Sequence, residues 1–173
     1  MIDEKAASPE GEATKTSGQA PEQYNAYDAV QKLTITHWMD VYGIRCKERH
    51  QSWPEFYDWL QNMRAVEVKE KSSLIKMARF GNVPKEDTGA LRHNDNVLSI
   101  TGIEGDYDKK QVTPEQAIER LEGFNLRAAI APTFTSTPDA PKWRVLTPLS
   151  EEADKSERKR YVEILNGMLG GIL

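Results

Sequence analysis

The run VLSITGIEGDYDKK, from Val97 to Lys110, opens as an apolar, β-branched strand and closes on three carboxylates at alternate positions, Glu104, Asp106 and Asp108. In an extended chain, residues two apart point to one face with Cα atoms about 6.5–7 Å apart. The three acids therefore share a face wherever the strand persists. Gly102 and Gly105 thin the same stretch, leaving room for another group to approach the backbone. Like charges at this spacing repel unless one is protonated or a cation lies between them.

Two readings of the acids follow. Carboxylates leaving a strand are ordinary solvated loop residues, and a bare Asp-x-Asp motif has a high false-positive rate. Alternatively, Asp106 and Asp108 hold Mg²⁺ or Mn²⁺, which prefer oxygen ligands and keep positions open for phosphate oxygens. A second ion would let such a site activate a 3′-hydroxyl and steady a leaving pyrophosphate.

The flanking sequence organises around this strand. TPEQAIERLEG predicts a helix, with Thr113 and Gln116 as a capping box, Pro114 at the first helical position and Gly123 to stop it. LRAAIAPTFTS predicts a second strand and KWRVLTPL a third, hairpinned to it through the turn TPDAP. Ser150 then caps a helix through EEADKSERKRYVEILNGMLGG, with acids in its first turn and Tyr161, Ile164, Leu165 and Met168 on its apolar face. Strand, helix, strand, strand, helix is the order of a ferredoxin-like split βαβ unit. The expected fold class is therefore α+β, a ferredoxin-like split βαβ sheet with helices on one face. One more strand would complete it, so residues 97–173 are expected to form an incomplete core.

Upstream, residues 1–23 are rich in Ala, Ser, Gly, Pro, Glu and Thr, too poor in apolar surface to offset the entropy of ordering, and predict a disordered tail. Residues 24–96 read as an α-rich N-terminal α/β extension, ordered from about Tyr24 to Val30 onward. LTITHWMDVYG predicts a strand from Leu33. SWPEFYDWLQNMR predicts a helix capped by Ser52, with Trp53, Phe56, Tyr57 and Leu60 on one face. KSSLIKMARFG predicts a second short helix ending at Gly81, and a loop follows to Asn96.

The totals exclude several classes. The chain has 173 residues, enough for one domain with a real core, of which 38% are hydrophobic and 29% charged. A net charge of −4 gives no global basic signature, so a nucleic-acid role must rest on a local patch. The single cysteine, Cys46, excludes an intrachain disulfide and a Cys-based zinc site. It fits a reducing interior, and no signal-peptide pattern or long apolar run is present. The reading is a cytoplasmic protein. Trp53, Phe56, Tyr57 and Trp59 could stack on unpaired bases, but helical spacing of aromatics more often marks a core. His37, His50 and His93 lack zinc-site spacing, and no Gly-rich phosphate loop is present. Lys76, Arg79, Arg92 and His93 are either a basic strip for a template backbone or scattered solvated charges.

The series ARFG…GALRHNDNVLSITGIEGDYD…TPEQAIERL…TPDAPKWRVLTPLS…LNGMLGG, over roughly residues 70–173, resembles phage- and plasmid-borne primase–polymerases of the archaeo-eukaryotic primase superfamily. The resemblance implies an RRM-like nucleotidyltransferase core that adds nucleotides on a single-stranded DNA template from nucleotide triphosphates with Mg²⁺ or Mn²⁺. A helicase domain or protein often accompanies it. Asp106 and Asp108 match the metal-binding pair of the family's first motif. Arg144 matches a basic position beside the nucleotide, where its guanidinium would pair with phosphate bidentately; a surface salt bridge is the alternative. Lys142 lies on the same strand face. Ser136 stands where the second motif usually has a histidine, and can hydrogen-bond a phosphate but not exchange a proton at neutral pH. The third motif's acidic ligand belongs to a later strand than the sequence reaches. These departures keep open a second class, a non-catalytic module that binds single-stranded nucleic acid or a replication partner through a degraded site.

Overall fold

A computed structural model of the chain describes residues 32–63, 68 and 72–173. The expected tail over 1–23 and the onset of order near Tyr24 to Val30 lie outside the described residues. Those described form an α+β structure of two antiparallel sheets and three helices. In chain order these are β1 (Leu33–Trp38), β2 (Cys46–Gln51), α1 (Trp53–Gln61), β3 (Leu74–Lys76), β4 (Ala78–Phe80), β5 (Val97–Tyr107), α2 (Pro114–Glu122), β6 (Ala129–Pro132), β7 (Trp143–Asp154) and α3 (Arg158–Met168). The sheet orders are β2-β1-β3 and β4-β5-β7-β6.

The expected capping box Thr113–Gln116 forms at the start of α2, and Ser52 caps α1 as expected, where Glu55 completes a second box; each helix has proline in its first turn. β6 is shorter than expected, spanning only Ala129–Pro132, and pairs with β7 in an antiparallel hairpin.

KSSLIKMARFG is not a helix. Its apolar residues 74, 75, 77, 78 and 80 fit a helical stripe, yet the segment is two three-residue strands bent at Met77. β3 pairs with β1 in one sheet and β4 with β5 in the other. Between them the Met77 carbonyl accepts from the backbone N–H of both Thr101 and Gly102, at 2.9 and 3.1 Å. A strand that changes sheets at a bend makes a corner between them. The extension expected to be α-rich therefore carries four strands and one helix among its described residues. The edge of the larger sheet beside β5 is filled by β4, which comes from before β5 in the sequence.

The second correction is at the other end of β7. Ser150 caps no helix; β7 runs on to Asp154, and its pairing with β5 jumps from Gly102↔Pro148 to Ile100↔Ala153. Leu149 to Glu152 thus bulge out of the ladder. Asp154 makes the cap instead, accepting from Ser156 N at 2.8 Å, and a single 3₁₀ turn leads into α3.

Alternation along the central strands separates two cores. Ile103 and Tyr107 of β5, with Trp143 and Val145 of β7, pack with Ala117 and Leu121 of α2 and Leu165 and Leu169 of the α3 end. Both helices therefore cover one face of the larger sheet. From the opposite face, Ala129 and Leu146 pack with Leu33, Ile35, Met77 and the α1 residues Trp53 and Phe56. That places Trp53 and Phe56 in the core, as helical aromatic spacing usually implies. Glu104, Asp106 and Arg144 share this second face with Leu146.

Candidate functional site

Each of the three aligned carboxylates meets a basic side chain. Asp106 is in direct register with Arg144 across the β5–β7 ladder. The guanidinium grips it at both oxygens, Nε donating to Oδ1 at 2.6 Å and Nη2 to Oδ2 at 2.9 Å. Asp108, just beyond β5, has Lys142 Nζ 3.6 Å from its Oδ1. Glu104 accepts from Lys76 Nζ at 3.0 Å, from Arg158 Nη2 at 3.4 Å and from the Met77 backbone N–H at 2.6 Å. The magnitudes favour this matching. Two carboxylates about 7 Å apart repel by ~2 kcal/mol at an effective dielectric near 20, while one ion pair near 3 Å gains ~5 kcal/mol before desolvation.

Burial grades the three. The Glu104 side chain is 4% exposed, that of Asp106 51% and that of Asp108 72%. Partial burial of Asp106 would by itself raise its carboxyl pKa; hydrogen bonds and charge from Arg144, with Lys76 and Arg158 behind, more than reverse this and hold it below the ordinary carboxylate range. The same hydrogen bonds raise Arg144, against its burial. Asp106 is thus ionised at neutral pH.

Aromatic packing beneath the face holds the strand ends in place. The rings of Tyr107 and Trp143, partners in the β5–β7 register, stack with centroids 4.7 Å apart. The Tyr107 hydroxyl accepts from Gln111 N and Val112 N, both at 2.9 Å, and Trp143 Nε1 donates to the Val112 carbonyl at 2.8 Å. These bonds pin the turn that follows Asp108.

The structure therefore brings together Asp106, Asp108, Arg144 and Lys142. Ser136 lies in the β6–β7 connection, where its Oγ accepts from Lys142 N at 3.0 Å; it joins the group through that backbone contact. Asp106 and Asp108 are the two carboxylates exposed enough to take a divalent ion. Both are hard oxygen donors of the kind Mg²⁺ accepts alongside water and phosphate. Among the described residues no group of three or more His, Cys, Asp or Glu side chains stands together as a ligand set. Lys76 and Arg158, 28 and 54 residues from Glu104, gave no local signal of belonging here.

Compared with known protein families, curated proteins and solved structures, the chain matches none. No described helix is long and apolar enough to cross a membrane.

Proposed function

We propose that this face is the nucleotide site of a metal-dependent nucleotidyltransferase of the primase–polymerase kind, built on an RRM-like arrangement of β5, α2, β6, β7 and α3. The observation that carries the reading is the cross-strand register of Asp106 with Arg144. It sets an ionised carboxylate and a bidentate donor side by side, next to a second pair, exposed Asp108 and partly buried Lys142. The order β5-β7-β6, with both helices on one face, supports the RRM-like reading. β4 takes the place of the outer strand.

In this reading Asp106 and Asp108 hold Mg²⁺ or Mn²⁺, which when bound would neutralise phosphate charge and support attack by a strand-terminal hydroxyl. Arg144 orients the incoming triphosphate, exchanging a carboxylate for phosphate oxygens without losing its fork geometry. Lys142 adds a second cation near Asp108. Ser136 stays with the loop and holds the start of β7. Positioning and electrostatic stabilisation dominate such phosphoryl chemistry. The remaining partners of the reading are a single-stranded DNA template and a helicase domain or protein.

A second reading has its own support. With each carboxylate already ion-paired and no three-ligand group among the described residues, the face suits a module that binds single-stranded nucleic acid without catalysis.

Thermal melts with Mn²⁺ and a nucleoside triphosphate, paired with template-directed incorporation of a labelled nucleotide, separate the two. The enzyme reading expects Mn²⁺ with triphosphate to raise the melting temperature, Asp108→Ala to abolish the rise, and incorporation to fall at least 100-fold (about 2.7 kcal/mol) in that variant. An equal rise in wild type and variant would exclude this carboxylate as a ligand. Salt-sensitive binding of a labelled single strand with no incorporation would favour the binding module.

A further inference from the structure

Glu104 is the one acid of the three whose position no surface role explains. It lies inside the molecule, yet it holds two cationic side chains from distant elements, Lys76 at the end of β3 and Arg158 at the start of α3. Both cations remain open to solvent, Lys76 at 25% and Arg158 at 43% side-chain exposure. Among the described residues neither has a hydrogen-bond partner other than Glu104. Each keeps donors to spare, since an ammonium carries three and a guanidinium five. Arg144, by contrast, spends its fork on Asp106.

The placement is directional. Glu104 and Asp106 stand two residues apart on one strand face, so both arms converge beside the Asp106–Arg144 pair. Together Lys76, Arg144 and Arg158, all partly buried, outnumber Glu104 and Asp106 by one positive charge. Such a setting raises the value of a bound anion over its value in water. The cations gather about a single carboxylate and do not run in a row. A strand backbone asks for charges spaced along a track, whereas a chain of adjoining phosphates asks for convergence.

We infer that Lys76 and Arg158 form a subsite for the terminal phosphates of a nucleoside triphosphate, with Glu104 as the buried positioning residue that aims them. The inference rests on the nucleotide reading of the same face, and adds two recognition residues and a preference for triphosphate over monophosphate. Lys76 and Arg158 meet the outer phosphates while Arg144 meets the phosphate nearest the reacting end.

The test is a comparison of nucleoside triphosphate and monophosphate affinities by calorimetry, on the full chain with Mn²⁺ present, for wild type, Lys76→Met and Arg158→Met. Wild type should prefer the triphosphate at least tenfold. Each variant should lose most of that preference while its monophosphate affinity changes less than twofold. If a methionine variant fails to fold, as judged by its far-ultraviolet spectrum, Lys76→Gln and Arg158→Gln replace it with the same expectation. Undiminished preference in the variants would overturn the subsite and leave the nucleotide reading intact. Absence of any triphosphate binding by wild type would overturn both. Weaker single-strand binding in the variants with triphosphate preference unchanged would assign the two cations to the strand, and the subsite would be wrong.

Discussion

At the scale of single residues, the acidic run of β5 behaves as a gradient. Glu104 is buried and triply bonded, Asp106 is half-exposed and clamped, and Asp108 is exposed beside one lysine. Removing Glu104 leaves the Met77 N–H without its acceptor and Lys76 without its partner in a partly buried setting. Glu104→Ala should therefore cost on the order of 3 kcal/mol in urea unfolding, a large effect for a polar substitution. Asp106 contributes through its charge. Its folded pKa lies below the unfolded value, so its contribution is present above the ordinary carboxylate range and is lost as pH falls through the lowered folded value. Wild type should be more stable than Asp106→Asn at pH 7, and the gap should close as pH drops below about 4, followed by denaturant midpoints at each pH. A gap that held constant down to pH 2 would mean the charge contributes nothing. The alternation that puts these acids on one face was legible from residue spacing, whereas Arg144 and Lys142 were expected beside them only through the resemblance to primase–polymerases. Lys76 and Arg158 were legible neither way, because tertiary packing alone brings them to Glu104.

At the scale of elements, local chemistry was readable where it is strong. Thr113–Gln116 is a complete start signal and Ser52 a single cap, each satisfying otherwise unpaired backbone donors within four residues, and both helices stand where those signals put them, Glu55 completing a second box at α1. Weak or ambiguous signals failed. Three-residue strands are too short to show a period, so LIKMARF read as helical although β1 and β5 supply its hydrogen bonds. Likewise the acids after Ser150 resemble a first helical turn, but pairing with β5 resumes through Ala153 and Asp154 and postpones the helix. The bend at Met77 also explains Gly102. A Cβ there would lie 2.7 Å from the Thr147 carbonyl and nearer still to the Met77 side chain. Met77 can shift, but the carbonyl belongs to the β7 backbone. Gly102→Ala should thus destabilise by about 1–3 kcal/mol, read from thermal or denaturant melts, while Gly123→Ala, with open space around it, should not.

At the scale of the whole molecule, the two sheets share one fabric. The 24–96 stretch supplies β4 to the larger sheet, while Ala129 and Leu146 from the later part complete the core beneath β1 and α1. Thr36 Oγ1 donates to the Ala78 carbonyl at 2.7 Å, and Thr101 Oγ1 to the Thr34 carbonyl at 2.7 Å, so buried hydroxyls also tie the layers. Unfolding should be a single transition, with tryptophan fluorescence and far-ultraviolet circular dichroism coincident. Trp53 reports from one core and Trp143 from the other. A chain begun at Val97 would lack β4 and the partners of Leu146 and should show no cooperative melt; a sharp transition in that fragment would show the halves to be independent.

What this sequence decided alone were the features that act over a few residues: the strand with its aligned acids, the two capped helices, and the hairpin that joins β6 to β7. Tertiary structure alone decided which backbone fills the edge beside β5, where the chain turns from one sheet into the other, and which cations answer the buried carboxylate. Those outcomes depend on hydrogen bonds and charges joined across dozens of residues, and no local spacing encodes a partner that far away.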